Sequence, residues 1–199
     1  MSDEYVIYRD GNITVDLDVG LETLKRYLGE RREPPPLNHL SAAVSVILNN
    51  QLEVLLIKRA QRDSDPWSGQ WALPGGMSKP TDGDMFETAR RETFEEVGID
   101  IRELELLGWM NARRPKNRPE IAVSPVVLLS EGRLSLRLNQ EVTDAIWLPL
   151  VAVERRKSRI TRRDGESLVD AYTYDRAFVW GLTASVIDEL KQLLTPNPC

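Results

Sequence analysis

The sequence is poor in the residues that build several common kinds of site. Among 199 residues there is one cysteine, Cys199, and one histidine, His39. A single thiol forms no intramolecular disulfide, so a reducing, cytoplasmic setting is expected. One histidine excludes multi-histidine metal centres and argues against Ser-His-Asp chemistry. In its linker, His39 is expected to be structural. No apolar run approaches the roughly 18 residues of a membrane span, and Met1 to Asp10 carries acidic groups in place of a signal-peptide core. Positive charge is not in excess: 26 basic and 31 acidic residues give a net charge of −5. That balance argues against broad adhesion to nucleic acid or anionic membrane.

What is present suits one globular unit. An apolar fraction of 41% with 29% charged residues is ordinary for a folded domain and leaves enough apolar mass for a substantial core. Residues 1–40 are expected to form an N-terminal appendage, with a hairpin-like start, a helix around Leu21 to Arg31 and the semi-rigid spacer Pro34-Pro35-Pro36. Residues 41–199 are expected to form the main domain. Ala43 to Leu48, the Asn49-Asn50 turn and Leu52 to Ile57 predict a hairpin. Further short strands are expected at Ile101 to Trp109, Ala122 to Leu129, Leu134 to Leu138 and Ala145 to Leu148. A last helix is expected from about Arg176 to Leu194, ending before Pro196. Strands interspersed with isolated helices predict an α/β layered fold with a mixed sheet.

The most informative stretch runs from Leu73 to Ile99. A Pro-Gly-Gly turn precedes a helix expected at Met85 to Val97, with Asp84 as N-cap, Glu87 as capping-box partner and Gly98 as the left-handed closing residue. At about 100° per residue, Glu92, Glu95 and Glu96 fall within one arc of about 100°. Phe86, Ala89, Thr93 and Val97 gather on another side to pack on a sheet. Arg91 is spaced to pair with Glu95. Gly75 and Gly76 permit close approach of a metal or phosphate to the main chain. Carboxylate oxygens beside such a turn suit Mg²⁺ or Mn²⁺, which bind a few carboxylates together with substrate phosphates.

These residues resemble the box of the Nudix hydrolases, G-x5-E-x7-R-E-U-x-E-E-x-G-U, with U a bulky apolar residue. Arg91-Glu92-Thr93-Phe94-Glu95-Glu96-Val97-Gly98-Ile99 is its second half, with Thr93 at an apolar position. In the first half, Gly76 lies one residue further from Arg91 than the pattern has it, and Gly83 stands where the early Glu belongs. An extra loop residue is similar to the coenzyme A diphosphatase branch, whose loop runs approximately P-G-G-x-x-D-P-x-D. Here that stretch is Pro74 to Asp82, with Lys79 in place of the first Asp. Leu55 to Ala60, Gly69 and Leu73 to Gly76 also resemble the upstream signature of that branch, and Trp180 to Ala184 its closing helix. The second Arg of the signature has no counterpart, because Arg59 to Gly69 is one residue too long.

The resemblance implies an α/β/α sandwich and metal-dependent hydrolysis of a phosphoanhydride. It implies Glu92, Glu95, Glu96 and the Gly76 carbonyl as metal ligands, with Arg91 and Glu95 in the catalytic box. Glu141 and Glu120 are alternative bases outside it. Arg59, Gly75, Arg113 and Arg114 are candidates for substrate binding, since guanidinium groups bond phosphate oxygens in pairs. Lys116, Arg118 and the basic run Arg155 to Arg163 are further candidates for a terminal phosphate, although most charge runs are solvated loops. Trp67 and Trp71 could stack on an adenine, with core packing the better expectation for Trp71. Coenzyme A or its thioesters is the favoured substrate. ADP-ribose, NADH, dinucleoside polyphosphates and nucleoside triphosphates remain open, as does a non-catalytic sensor of the same fold. By family analogy, the N-terminal segment would support a homodimer.

Overall fold

A computed structural model describes residues 6–9, 12–15, 17–63, 65–162 and 165–194. Two short strands, β1 (Val6–Arg9) and β2 (Asn12–Val15), form an antiparallel pair ahead of helix α1 (Leu17–Leu28). The chain then enters a mixed seven-stranded sheet. Its members are β3 (Ser41–Asn49), β4 (Glu53–Arg59), β5 (Trp71–Ala72), β6 (Gly75–Met77), β7 (Glu105–Trp109), β8 (Ala122–Ser130) and β9 (Val142–Pro149). The spatial order is β5-β4-β3-β8-β7, with β6 pairing on β3 and β9 on β4. β3 and β8 run parallel over their whole length, while β6, β7 and β9 pair antiparallel with their neighbours.

Alternation along the strands divides the apolar residues between two faces. Ala43, Ile47, Leu55, Ile57, Val126 and Leu128 meet Met85, Ala89 and Val97 of α2 (Met85–Val97) on one side. Val46, Leu48, Val54, Leu56 and Val127 meet Leu24 and Leu28 of α1 and Ile187 and Leu190 of α3 (Gly181–Leu194) on the other. The result is the expected α/β/α sandwich. α1, placed by the sequence in the N-terminal appendage, buries Leu21, Leu24 and Leu28 in the same cluster as α3 and the sheet. No helix among the described residues is long and apolar enough to cross a membrane.

Several elements differ from expectation. The basic run after Leu150 is no loop: β10 (Arg155–Arg162), β11 (Gly165–Tyr174) and β12 (Ala177–Trp180) form a second, antiparallel sheet. Its inner residues Ala171, Tyr172, Ala177 and Val179 join the α1/α3 core. The last helix therefore begins at Gly181, and the segment before it is a strand. Leu134 to Leu138 forms no strand, because its backbone is claimed elsewhere. Arg137 N–H donates to the Val97 carbonyl and Asn139 N–H to the Glu96 carbonyl, while Leu134 and Leu136 pack beneath α2. Ile101–Glu103 is a 3₁₀ turn capped by the Asp100 carboxylate, so the strand starts at Glu105. Arg163, Pro196 and Cys199 lie outside the described residues.

Candidate active site

The site is assembled where α2 crosses β6. Asp84 accepts the Glu87 N–H at 2.8 Å, Gly98 N–H returns to the Phe94 carbonyl, and the helix runs between these caps. Glu87 turns to Arg90 at 2.7 Å, so the capping contact runs from Asp84 alone. Inside the interface the Ser45 and Thr93 hydroxyls, both fully buried, bond each other at 2.7 Å. This pair accounts for a threonine at a position the family pattern gives to an apolar residue: β3 presents a hydroxyl to it.

β6 brings the glycines against both β3 and α2. Val44 pairs with Gly75 and Ala43 with Gly76, and Ser45 N–H donates to the Pro74 carbonyl at 2.8 Å. Gly75 has φ 146°, and a β-carbon there would lie 2.2 Å from the Ala43 oxygen. At Gly76 the same atom would fall 2.6 Å from the Glu92 carboxylate. The glycines thus open the space that Glu92 occupies.

Glu96 lies deepest. Only 2% exposed, it accepts the Gly75 N–H at 2.8 Å and has Arg59 Nη1 at 3.7 Å. Burial pushes its pKa up to about 8, opposed by the Gly75 bond and Arg59 and reinforced by the negative charges of Glu92 and Glu141. Glu141, expected from the sequence as a site acid, is thereby placed in the electrostatic neighbourhood of Glu96. It is held by Arg62 at 2.9 Å, and its N–H is fixed by Asn139 Oδ1 at 2.8 Å. Glu95 is more open to solvent than Glu96. Half exposed, it lies 3.8 Å from Lys79 and 3.6 Å from Arg91. Lys79, which replaces an acid of the branch loop, therefore faces a box carboxylate.

Arg91 ties the helix to the loop. Its Nε and Nη2 donate to the two Asp82 oxygens, each at 2.9 Å, Nη2 reaches the Met77 carbonyl at 3.0 Å, and Nη1 bonds Glu92. Asp82, 9% exposed, also accepts from Lys79 N–H and Thr88 Oγ1, and the guanidinium holds its pKa far below the ordinary carboxylate range. These bonds make Arg91 a positioning residue for Glu92. Asp82 was visible in the sequence only as the end of the loop; a carboxylate beside the vacant Gly83 position was the signal that Arg91 had another partner.

The other basic candidates separate from the site. Arg113 bonds Glu189 and the Asn111 carbonyl, lining an open recess of about 560 Å³ with Tyr27, Asp188 and Leu193 on the α1/α3 side. Arg114 donates to the Pro119 and Glu120 carbonyls, and Glu120 pairs with Arg118 on an exposed loop. Neither arginine meets the α2 carboxylates. Trp71 is buried in the core, whereas Trp67 packs against a separate small cluster that includes Ile121 and Val123. His39 is exposed in the linker.

Among the described residues, no three His, Cys, Asp or Glu side chains converge as a formed metal site. The donor set nevertheless fits a hard divalent cation. Glu92 and Glu96 flank the glycine backbone, and Glu96 carries unfavourable charge from two other carboxylates. Arg59, Arg91 and Lys79 supply the countercharge.

A model of the NUDIX domain matches residues 38–168. The chain belongs to the Nudix hydrolase family, whose members use divalent metal ions to hydrolyse small, nucleotide-derived substrates containing a pyrophosphate linkage. It is 33% identical over 171 residues to the Nudix hydrolase NudL of Photorhabdus laumondii, covering 80% of this chain and 90% of that protein. It is 34% identical over 162 residues to protein C14C4.10c of Schizosaccharomyces pombe, covering 69% of this chain and 49% of the relative, so it spans about half of the latter's length. The crystal structure of the Nudix hydrolase RenU from M. smegmatis has the same fold, with a TM-score of 0.52, 15% identity, and coverage of 100% of this chain and 98% of that one.

Proposed function

We propose that this chain is a Mg²⁺- or Mn²⁺-dependent diphosphatase that cleaves a nucleoside diphosphate linked to a second group, with coenzyme A or a thioester of it as the favoured substrate. The observation that carries this reading is the buried Glu96, hydrogen-bonded to Gly75, beside Glu92 and within the field of Glu141. Glu92, Glu96, Glu95 and the Gly76 carbonyl are the groups that would hold the cation. When bound, it would neutralise diphosphate charge and acidify a water molecule.

The protein side of the reaction follows from the contacts. Arg91, locked by Asp82, orients Glu92 toward Gly76. Arg59 directs Nη1 toward the carboxylates and offers it to a phosphate oxygen. Attack on phosphorus needs an acceptor for the proton of water, and Glu95 and Glu141 are the two candidates. Glu95 is half exposed, and Glu141 is tethered by Asn139 and Arg62.

A second reading keeps the chemistry and changes the substrate to ADP-ribose, NADH, a dinucleoside polyphosphate or a nucleoside triphosphate. The interrupted signature between Arg59 and Gly69 favours it. A turnover panel with product identification tests both. Coenzyme A should yield 4′-phosphopantetheine and adenosine 3′,5′-bisphosphate, faster than 3′-dephospho-coenzyme A is cleaved. Equal rates would favour the second reading, and the absence of any hydrolysis with millimolar Mg²⁺ or Mn²⁺ would favour a sensor. Of Glu95→Gln and Glu141→Gln, the base variant should lose about 10²-fold or more in kcat, and the other less.

A further inference from the structure

Arg59 meets the site because another residue aims it. Its Nε and Nη2 both donate to Asp65 Oδ2, at 3.0 and 2.7 Å, which leaves Nη1 turned toward Glu96. Asp65 is itself fixed: its side chain is 14% exposed, and Oδ1 accepts the Trp67 N–H at 2.9 Å. The surrounding loop is closed by its own bonds. Ser68 Oγ accepts from the Arg62 N–H and donates to Gln61, while the Arg59 N–H donates to the Gln70 carbonyl. A long arginine side chain at the end of β4 would otherwise sample many rotamers, and ordering it on binding costs free energy.

We infer that Asp65 is a positioning residue for substrate binding, a clamp that holds the Arg59 guanidinium with Nη1 presented to the diphosphate of the substrate. The inference deepens the diphosphatase reading and rests on it for the identity of the ligand. Asp65 Oδ2 takes the Nε/Nη2 edge of the guanidinium, so Nη1 reaches the anion already oriented. No part of the clamp lies on α2, and it meets the α2 carboxylates only through Arg59 Nη1, 3.7 Å from Glu96. The neighbouring Arg62, held on Glu141, places a second guanidinium on the same loop.

Asp65→Asn separates clamp from turn. The amide oxygen still accepts the Trp67 N–H, whereas the amide nitrogen cannot accept from a guanidinium. The test measures binding of α,β-methylene-ADP, a diphosphate that cannot be cleaved at that bridge, by calorimetry in the presence of Mg²⁺. The proteins are wild type, Asp65→Asn, Arg59→Ala and the double variant, with Tm recorded for each. Asp65→Asn should weaken binding about tenfold and leave Tm nearly unchanged, and in the Arg59→Ala background it should have no further effect. In parallel turnover assays it should raise KM by a similar factor with kcat within about twofold. Wild-type affinity in Asp65→Asn, or penalties that add in the double variant, would overturn the clamp. A wild type that binds the analogue with this dependence but cleaves no phosphoanhydride would sink the diphosphatase reading and leave the clamp standing.

Discussion

Two buried glutamates at opposite ends of the sheet show how different environments give the same side chain different uses. Glu53, at the start of β4, accepts from Arg133 Nε and Nη2 at 2.8 and 2.6 Å and from Asn49 at 2.8 Å. The Arg133 bonds draw its pKa below the ordinary value, against the effect of burial. Glu96, on α2, has one N–H bond, an arginine 3.7 Å away and two carboxylate neighbours, and its pKa moves the other way. The first glutamate is a closed structural pair. In the second, burial outweighs the bonds offered to the carboxylate, an imbalance that a bound cation would offset.

The sharpest way to break this contrast is to neutralise each acid in turn. Glu96→Gln should lower kcat by about 10²- to 10³-fold, with no loss of metal-free stability. Glu53→Gln should leave kcat within about twofold and lower stability by about 1–2 kcal/mol, a modest figure because Arg133 is largely exposed. Turnover and urea midpoints on the same preparations decide it, and similar activity losses in both variants would erase the distinction.

A pH series sharpens the structural half. The native pKa of Glu53 lies below its unfolded value of 4.5, so on acidification the unfolded chain takes up the proton first. The stabilisation is fully present above about pH 4.5 and is lost as pH falls through the native pKa. The gap in urea midpoint between wild type and Glu53→Gln should accordingly be widest near neutrality and narrow progressively as pH falls below about 4.5.

The smallest effect concerns the neutral pair under the same helix. Thr93→Val leaves the Ser45 hydroxyl buried without its partner, at a cost of about 1 kcal/mol, and adding Ser45→Ala should recover part of it. Additive losses in thermal unfolding would mean that the two hydroxyls do not depend on each other.

How much of this was legible in the sequence depended on whether a residue's partner lay nearby in the chain. The helix Met85–Val97, its Asp84 and Gly98 caps and the apolar strands β3, β4 and β8 follow local rules of period and capping, and the structure has them as expected, whereas the Glu87 side chain expected to complete the capping box bonds Arg90. β10 escaped because Arg155, Arg156 and Lys157 show no apolar alternation; its strand character comes from the register with β11. Leu134 to Leu138 misled in the opposite sense, since an alternating pattern loses its strand when α2 takes the backbone bonds. In the site, Glu92, Glu96 and Gly76 were marked by the motif and Asp82 by the loop that precedes it, without a partner for it, whereas Asp65 was not marked at all. Their roles exist only through the arginines that folding delivers to them. Arg113 looked like a substrate ligand until α3 supplied Glu189.

The strand Gly75–Met77 is at once a rib of the sheet and the ground on which Glu92 and Glu96 stand. Such a double attachment leaves this strand little freedom to adjust: a change of backbone there would disturb β3 and the helix together. A substitution that shifts this strand should therefore be felt by the sheet and by both carboxylates at once, so the two cannot be altered independently from this position.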